Sequence, residues 1–182
     1  MTCTIPPIAP PVDLSHIVLD ADVEDPSNEP EPRLALVFTG QLKNVEPVHV
    51  ANFTEQVLKP LLEYFNHVDV YLHSFNALTF NNPRNGEDHS PINVTRSVET
   101  IVAGLRAVEP AGKVKIKGIL VTDPQDADAS FKPLDYYLER GDPYNNEGLS
   151  LFNSLRAYHS LQVGGWVWVL LLAQWGRMGW VN

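Results

Sequence analysis

A short polar stretch after an apolar run could form part of a ligand site. The run Leu34–Phe38 is dense enough for a strand that is buried on both faces, as in a parallel sheet. Ligands of open α/β sheets bind just beyond the carboxyl ends of such strands. Glycine lets backbone approach a ligand closely, and a side-chain amide can both donate and accept. We therefore expect Thr39, Gly40 and Gln41 to rim a ligand pocket; the alternative is an ordinary turn that uses Gly40.

A second strand, predicted over Val68–Phe75, ends in polar residues of the same kind. His73 lies at its end, and Asn76 follows it. Because the carboxyl ends of parallel strands meet at one edge of a sheet, we expect both residues near the first polar stretch. His73 could instead have a structural role.

A helix predicted over Gly148–Gln162 carries two further candidates, Asn153 and Arg156, beside an apolar stripe. A guanidinium is well suited to bind phosphate oxygens. Arg156 is therefore a candidate to bind a phosphate, and the alternative is a solvated arginine.

Two acidic pairs resemble metal ligands, but neither is expected to bind a metal. Asp20 and Asp22 lie in an acidic segment, and Asp126 and Asp128 lie in a polar connection with no strand close before them. A bound cation needs rigidly placed oxygen ligands.

The elements that must position these residues alternate between strand and helix. A helical pattern follows the first strand, and Pro60 within it predicts a kink or two short helices. Asn93 is placed to cap a second helix, and a third strand follows at Val114–Val121. The segment Asn81–Pro91 reads as a loop. This order predicts an α/β fold in which the strands near 33–39 and 68–74 are parallel neighbours.

Composition restricts partners and compartment. The net charge of −9 argues against a nucleic-acid partner, and the single cysteine excludes an intramolecular disulfide. The start of the chain has no signal peptide, so the expected localisation is cytoplasmic by default, or Golgi if the true amino terminus lies further upstream. Residues 1–32 are rich in proline and acidic residues without Lys or Arg, and we expect a disordered tail that is not packed on the core.

The end of the chain differs in character. Residues 163–182 contain all four tryptophans and no acidic residue. The apolar stretch is short for a membrane span, which needs about 20 residues, so a membrane is not an expected partner. An exposed apolar tail would instead suit a protein partner.

Together the motifs resemble the amino-terminal half of a GT-A-type glycosyltransferase. The resemblance rests on a first strand of the form Arg-hydrophobic-Gly-Gln, here Arg33–Lys43, and on a second of the form Asp-Val-aromatic-hydrophobic-His-Ser, here Asp69–Ser74. It also includes the helix with Asn153, Ser154 and Tyr158. It implies a three-layer, Rossmann-like, mostly parallel sheet, incomplete here, and a nucleotide-sugar-binding half domain over 33–162. The resemblance also implies which residues bind the nucleotide: Thr39, Gly40 and Gln41 would face it, His73 and Asn76 would lie nearby, Arg156 would lie near the diphosphate, and Asn153 would belong to the same site.

One feature of that family is missing. In GT-A enzymes an Asp-x-Asp motif follows this helix and holds a divalent cation such as manganese, whereas the stretch Trp166–Trp180 contains no acidic residue. We therefore expect no metal cofactor in this chain, an inactive or incomplete transferase, and a truncation near Gln162. The alternatives are a non-catalytic nucleotide-binding module and a protein-interaction module with an exposed Trp-rich tail.

Overall fold

The computed structural model describes residues 12–20, 33–82, 87–108, 110–132, 136–137, 151 and 154–163. The strands are β1 (Arg33–Thr39), β2 (His67–Phe75), β3 (Thr79–Asn82), β4 (Glu87–Pro91) and β5 (Val114–Thr122). The helices are α1 (Pro47–Phe53), α2 (Lys59–Tyr64), α3 (Val94–Arg106), α4 (Pro124–Ala129) and α5 (154–163). A π-helical segment, Thr54–Leu58, joins α1 to α2.

The sheet that organises the fold is parallel and has the strand order β1-β2-β5. The predicted parallel pairing of the first two strands is confirmed, and Thr39 is the register partner of His73. The fold is therefore a mixed α/β fold built on a three-stranded parallel sheet. A register shift in the β2–β5 pairing lies between Val70 and Tyr71.

The loop prediction for Asn81–Pro91 is wrong in part, because β3 and β4 form an antiparallel pair there. This pairing joins backbone groups, so a segment rich in Asn and Pro can form it without the apolar alternation that marks a strand in sequence. The Ile92 amide then donates to the Leu78 carbonyl at 2.8 Å, which closes the base of the hairpin.

Pro60 divides the first helical region, as the sequence predicts. It lies at the start of α2, directly after the π-helical segment, in which the Lys59 amide donates to the Thr54 carbonyl five residues back. Proline has no amide hydrogen and its ring clashes with the carbonyl four residues earlier, so a wider turn relieves the conflict. The next helix, α3, begins at the predicted cap, because the Asn93 side chain accepts from the Arg96 amide at 2.9 Å.

The core lies between the sheet and the layer formed by α1 and α3. Every second residue of β2, namely Val68, Val70 and Leu72, is buried there, and the apolar side chains of α3 are buried against them. His73, one position out of phase, faces the other side of the sheet and contacts α5 through Ser160. A helix therefore lies against each face.

β1 is less buried than its composition suggests. Its residues are half-buried, and Thr39 is exposed, so the expectation of a strand buried on both faces is wrong for this strand. Among the described residues β1 is an edge strand with β2 as its only neighbour. An edge strand has a neighbouring strand on one side only, and the residues of β1 are accordingly more exposed than those of the central strand β2.

The amino-terminal segment 12–20 is packed against the core, which corrects the expectation for these residues. Leu14 and Ile17 contact the apolar cluster, and Asp20 pairs with Ile116 on the outer edge of β5. The Asp20 amide donates to the Ile116 carbonyl at 2.9 Å, and the Asp20 carboxylate accepts from the Ile116 amide at 2.8 Å. These contacts, together with those of Arg106 to Val18 and Asp20, hold a segment of otherwise poor composition against the core. The rest of 1–32, and the tail beyond Val163, lie outside the described residues.

In the part of the chain that the structure describes, no helix is long and apolar enough to cross a lipid bilayer.

Candidate functional site

The predicted binding edge lies at the carboxyl end of β1. Gly40 has a backbone φ of +117°, which residues with a side chain rarely adopt. If a Cβ were added to Gly40, no described atom beyond its two chain neighbours would lie within 4 Å of it. Thr39 is exposed and pairs in register with the buried His73 on β2. The structure therefore brings three of the predicted residues, Thr39, Gly40 and His73, to one edge of the sheet, and Gln41 follows half-buried.

The loop after Gly40 is held in place by three hydrogen bonds to other elements. The Leu42 amide donates to Ser74 Oγ at 3.1 Å. The Val45 amide donates to Ser97 Oγ on α3 at 3.1 Å. Asn44, at φ +42°, donates from Nδ2 to the Pro91 carbonyl at 3.0 Å. Because the anchors lie on different elements, this loop is pre-organised rather than shaped by a ligand.

A cleft of about 510 Å³ lies beside this loop, at the amino end of α3. Its lining includes one cation, Arg96, whose Nη2 lies 3.6 Å from Glu46 Oε2. The volume is within the range of small-molecule sites. The lining residues are Asn44, Val45, Glu46, Pro91, Ile92, Asn93, Arg96 and Ser97. None of these residues was predicted as a site residue. The sequence feature that could have indicated the cleft was the Asn93 cap, because it places the start of a helix at the carboxyl edge of the sheet.

His73 is held by two hydroxyl groups and is neutral. Its Nδ1 lies 2.5 Å from Ser160 Oγ on α5, and its Nε2 lies 2.9 Å from Thr122 Oγ1 on β5. Burial lowers the pKa of His73 to about 4, and the neighbouring His159 adds to the effect. Ser160 is fully buried, so this histidine–serine pair is closed to a substrate and has a structural role in this arrangement.

The remaining predicted site residues are not all at the edge. The Asn76 amide donates to the Thr122 carbonyl at 2.9 Å, so the chain continues along β5 as it leaves β2. Asn153 lies outside the described residues. Arg156 binds Asp128 with both arms of the guanidinium, from Nε at 2.8 Å and from Nη2 at 2.5 Å. A role at a diphosphate would require Arg156 to exchange this carboxylate for phosphate.

The acidic candidates have local roles. Asp20 caps the edge of β5, Asp128 pairs with Arg156, and Asp126 lies in the first turn of α4. Within the described ranges, no group of three or more His, Cys, Asp or Glu side chains could hold a metal ion.

Comparison of the chain with protein-family models, with curated proteins and with solved structures finds no match.

Proposed function

We propose that this chain is the nucleotide-binding half of a glycosyltransferase-like α/β domain. It binds the nucleoside diphosphate portion of a nucleotide sugar at the carboxyl edge of β1. The observation that carries the proposal is the open space in front of Gly40, at the end of a parallel strand and at a φ that favours glycine. The motif resemblance in Arg33–Lys43 and Asp69–Ser74 supplies the ligand class.

The surroundings of Gly40 support a bound ligand in two ways. The following loop is anchored to Ser74 and Ser97, so a ligand would meet backbone groups that are already positioned. The cleft beside the loop contains Arg96, which a phosphate would share with Glu46, and Asn93, which caps the start of α3. A phosphate at this place would be favoured by the positive end of the helix dipole.

The experiment is titration of the full chain with a panel of nucleoside diphosphates, with binding detected by calorimetry or by thermal shift. Gly40→Val should abolish binding, because the added side chain enters the open space and strains the backbone. The matched control is Gly112→Val, at the opposite edge of the sheet between α3 and β5. Gly112 also has positive φ, +84°, and no described atom within 4 Å of its Cβ position. Both variants therefore place a valine at a positive φ, and they differ in which edge of the sheet is altered.

Gln41→Ala provides a variant without backbone strain, and it should weaken binding without lowering thermal stability. Absence of binding to any nucleoside diphosphate, or equal loss in the Gly40 and Gly112 variants, would overturn the proposal. Nucleotide sugars with and without manganese give a second readout. We expect no release of nucleoside diphosphate, because the chain lacks an acidic pair after α5.

A protein-interaction module is the second candidate, and one observation favours it. Tyr158 and Leu161, three residues apart on α5, are 70% and 59% exposed. Side chains at this spacing lie on one side of a helix, so they form a small apolar surface at the end of the described chain. If the nucleotide panel gives no binding, substitution of both residues by serine tests whether this surface supports association.

A further inference from the structure

His73 joins three elements through its two ring nitrogens. It lies on β2, and it is hydrogen-bonded to Ser160 of α5 and to Thr122 of β5. His73 is 3% exposed and Ser160 is fully buried, so α5 docks on the sheet through a contact that excludes water. His73 lies at the same edge of the sheet as Gly40, but no atom of His73 or Ser160 lies within 4 Å of the Cβ position of Gly40, and the inference below does not depend on nucleotide binding.

The groups that face His73 are aromatic, hydroxylic or another imidazole. On β2, Phe75 packs edge-on against the ring with centroids 5.2 Å apart. On α5, the His159 ring lies 6.3 Å away, and Phe131, after α4, packs on His159. From β5 the facing group is Thr122, and the charged residues of α4 and α5 include Asp128 and Arg156, which pair with each other. Within the described part of the chain, the hydrogen-bond partners of the His73 ring are hydroxyls and not carboxylates.

Protonation of His73 would place a positive charge in this contact without a counter-ion. Both hydroxyl groups could accept from the imidazolium, so the hydrogen bonds do not prevent protonation. The charge would nevertheless lose its hydration and would lie beside His159, which disfavours the charged form. Departure of α5 from the sheet would return water to the ring and remove both costs.

We propose that α5 is a pH-operated latch, docked on the sheet while His73 is neutral and released when His73 takes up a proton. The direction follows from the pKa of the docked ring, about 4, which lies below the ordinary value of 6.5. A group whose pKa is lowered by docking binds more protons when undocked, so docking is strongest above pH 6.5 and weakens as the pH falls towards 4. The docking equilibrium should change about 30-fold between pH 7.5 and 5, and about 300-fold in full.

The test is hydrogen exchange of the full chain at pH 7.5 and pH 5, with rates corrected for the intrinsic effect of pH. Protection of residues 154–163 should fall about 30-fold at pH 5, whereas α3 should keep its protection. Helix α3 is a suitable reference because its buried residues contact the opposite face of the sheet. Simultaneous loss of protection in α3 and in 154–163 would indicate global acid unfolding and would overturn the latch.

The variant His73→Gln keeps a donor and an acceptor but cannot be charged, so protection of 154–163 should no longer depend on pH. The control is His49→Gln, at an exposed position on α1, which should keep the response of the parent chain. If His73→Gln does not fold, NMR titration of His73 in the parent chain tests the proposal instead. A His73 ring that titrates near pH 6.5 while 154–163 stays protected would contradict the proposal, and a midpoint below 5 that coincides with loss of protection would support it.

Discussion

Arg33 and Asp69 form a bidentate ion pair across β1 and β2, with Nε at 3.1 Å and Nη2 at 2.9 Å from the carboxylate oxygens. Both side chains are partly buried, with 27% of Arg33 and 15% of Asp69 exposed, and Asp69 lies diagonally from Arg33 because its own register partner is Ala35. These two residues open the two strand motifs on which the glycosyltransferase resemblance rests. Their pairing at the amino end of the sheet assigns them to strand alignment and not to ligand binding.

The first prediction concerns this pair. Asp69→Asn should lower the free energy of unfolding by about 1–3 kcal/mol, because it removes a charge-assisted hydrogen bond and leaves the guanidinium partly desolvated. Chemical denaturation measures the change. The control is Glu55→Gln, which breaks the exposed pair of Glu55 with Lys59 on a helix surface and should cost less than about 0.5 kcal/mol. Equal effects of the two substitutions would show that burial does not strengthen the Arg33–Asp69 pair.

The second prediction concerns the close approach of α1 and α3. A Cβ at Gly104 would overlap the Val50 side chain, which is buried. Gly104→Ala should therefore destabilise the protein by about 1 kcal/mol, since a steric cost of about 1–3 kcal/mol exceeds the gain of about 1 kcal/mol in helix propensity.

The double variant Gly104→Ala with Val50→Ala isolates the steric cost. Its loss of stability should be smaller than the sum of the two single losses, because the shortened side chain makes room for the added methyl group. Ala103→Gly, at an exposed position on the same helix, measures the propensity difference alone. Additive losses in the double variant would be inconsistent with the predicted overlap.

The third prediction concerns Arg156 and Asp128. Asp128→Asn and Arg156→Met should each lower thermal stability, and together they should cost less than their sum, since each removes the same bidentate contact between α4 and α5. Neither should change nucleoside diphosphate affinity if Arg156 is held structurally. A stronger affinity in Asp128→Asn would instead indicate that the released guanidinium binds phosphate, as the sequence alone predicts.

Periodicity and local capping signals predicted much of the central fold. The parallel neighbours β1 and β2, the break at Pro60 and the cap at Asn93 each follow from a local rule, namely apolar density, a missing amide hydrogen and a short polar side chain. The helix that begins in the connection after β5 was not predicted from the sequence. Asp123 followed by Pro124 is a typical cap and first position, and it begins α4.

Long-range contacts could not be predicted in the same way. His73 and Ser160 are 87 residues apart, and their meeting depends on which face of the sheet α5 covers. The pairing of Asp20 with Ile116 across 96 residues depends in turn on β5 being an edge strand. Neither residue type nor spacing encodes such relations, so Arg156 could not be assigned to Asp128 before the packing was known.

The position of Asp20 has a consequence for self-association. An open edge of a sheet is a template on which strands of other molecules can add, and proteins protect such edges with charges and short covering segments. Asp20 occupies the hydrogen-bonding groups of Ile116, and Lys117 donates to the Asp20 carbonyl at 3.0 Å. A carboxylate and an ammonium group therefore both lie at this edge and oppose the addition of another strand. A shortened chain that begins at Arg33 would lose this protection, and we expect it to aggregate through β5 even though its strands and helices are intact.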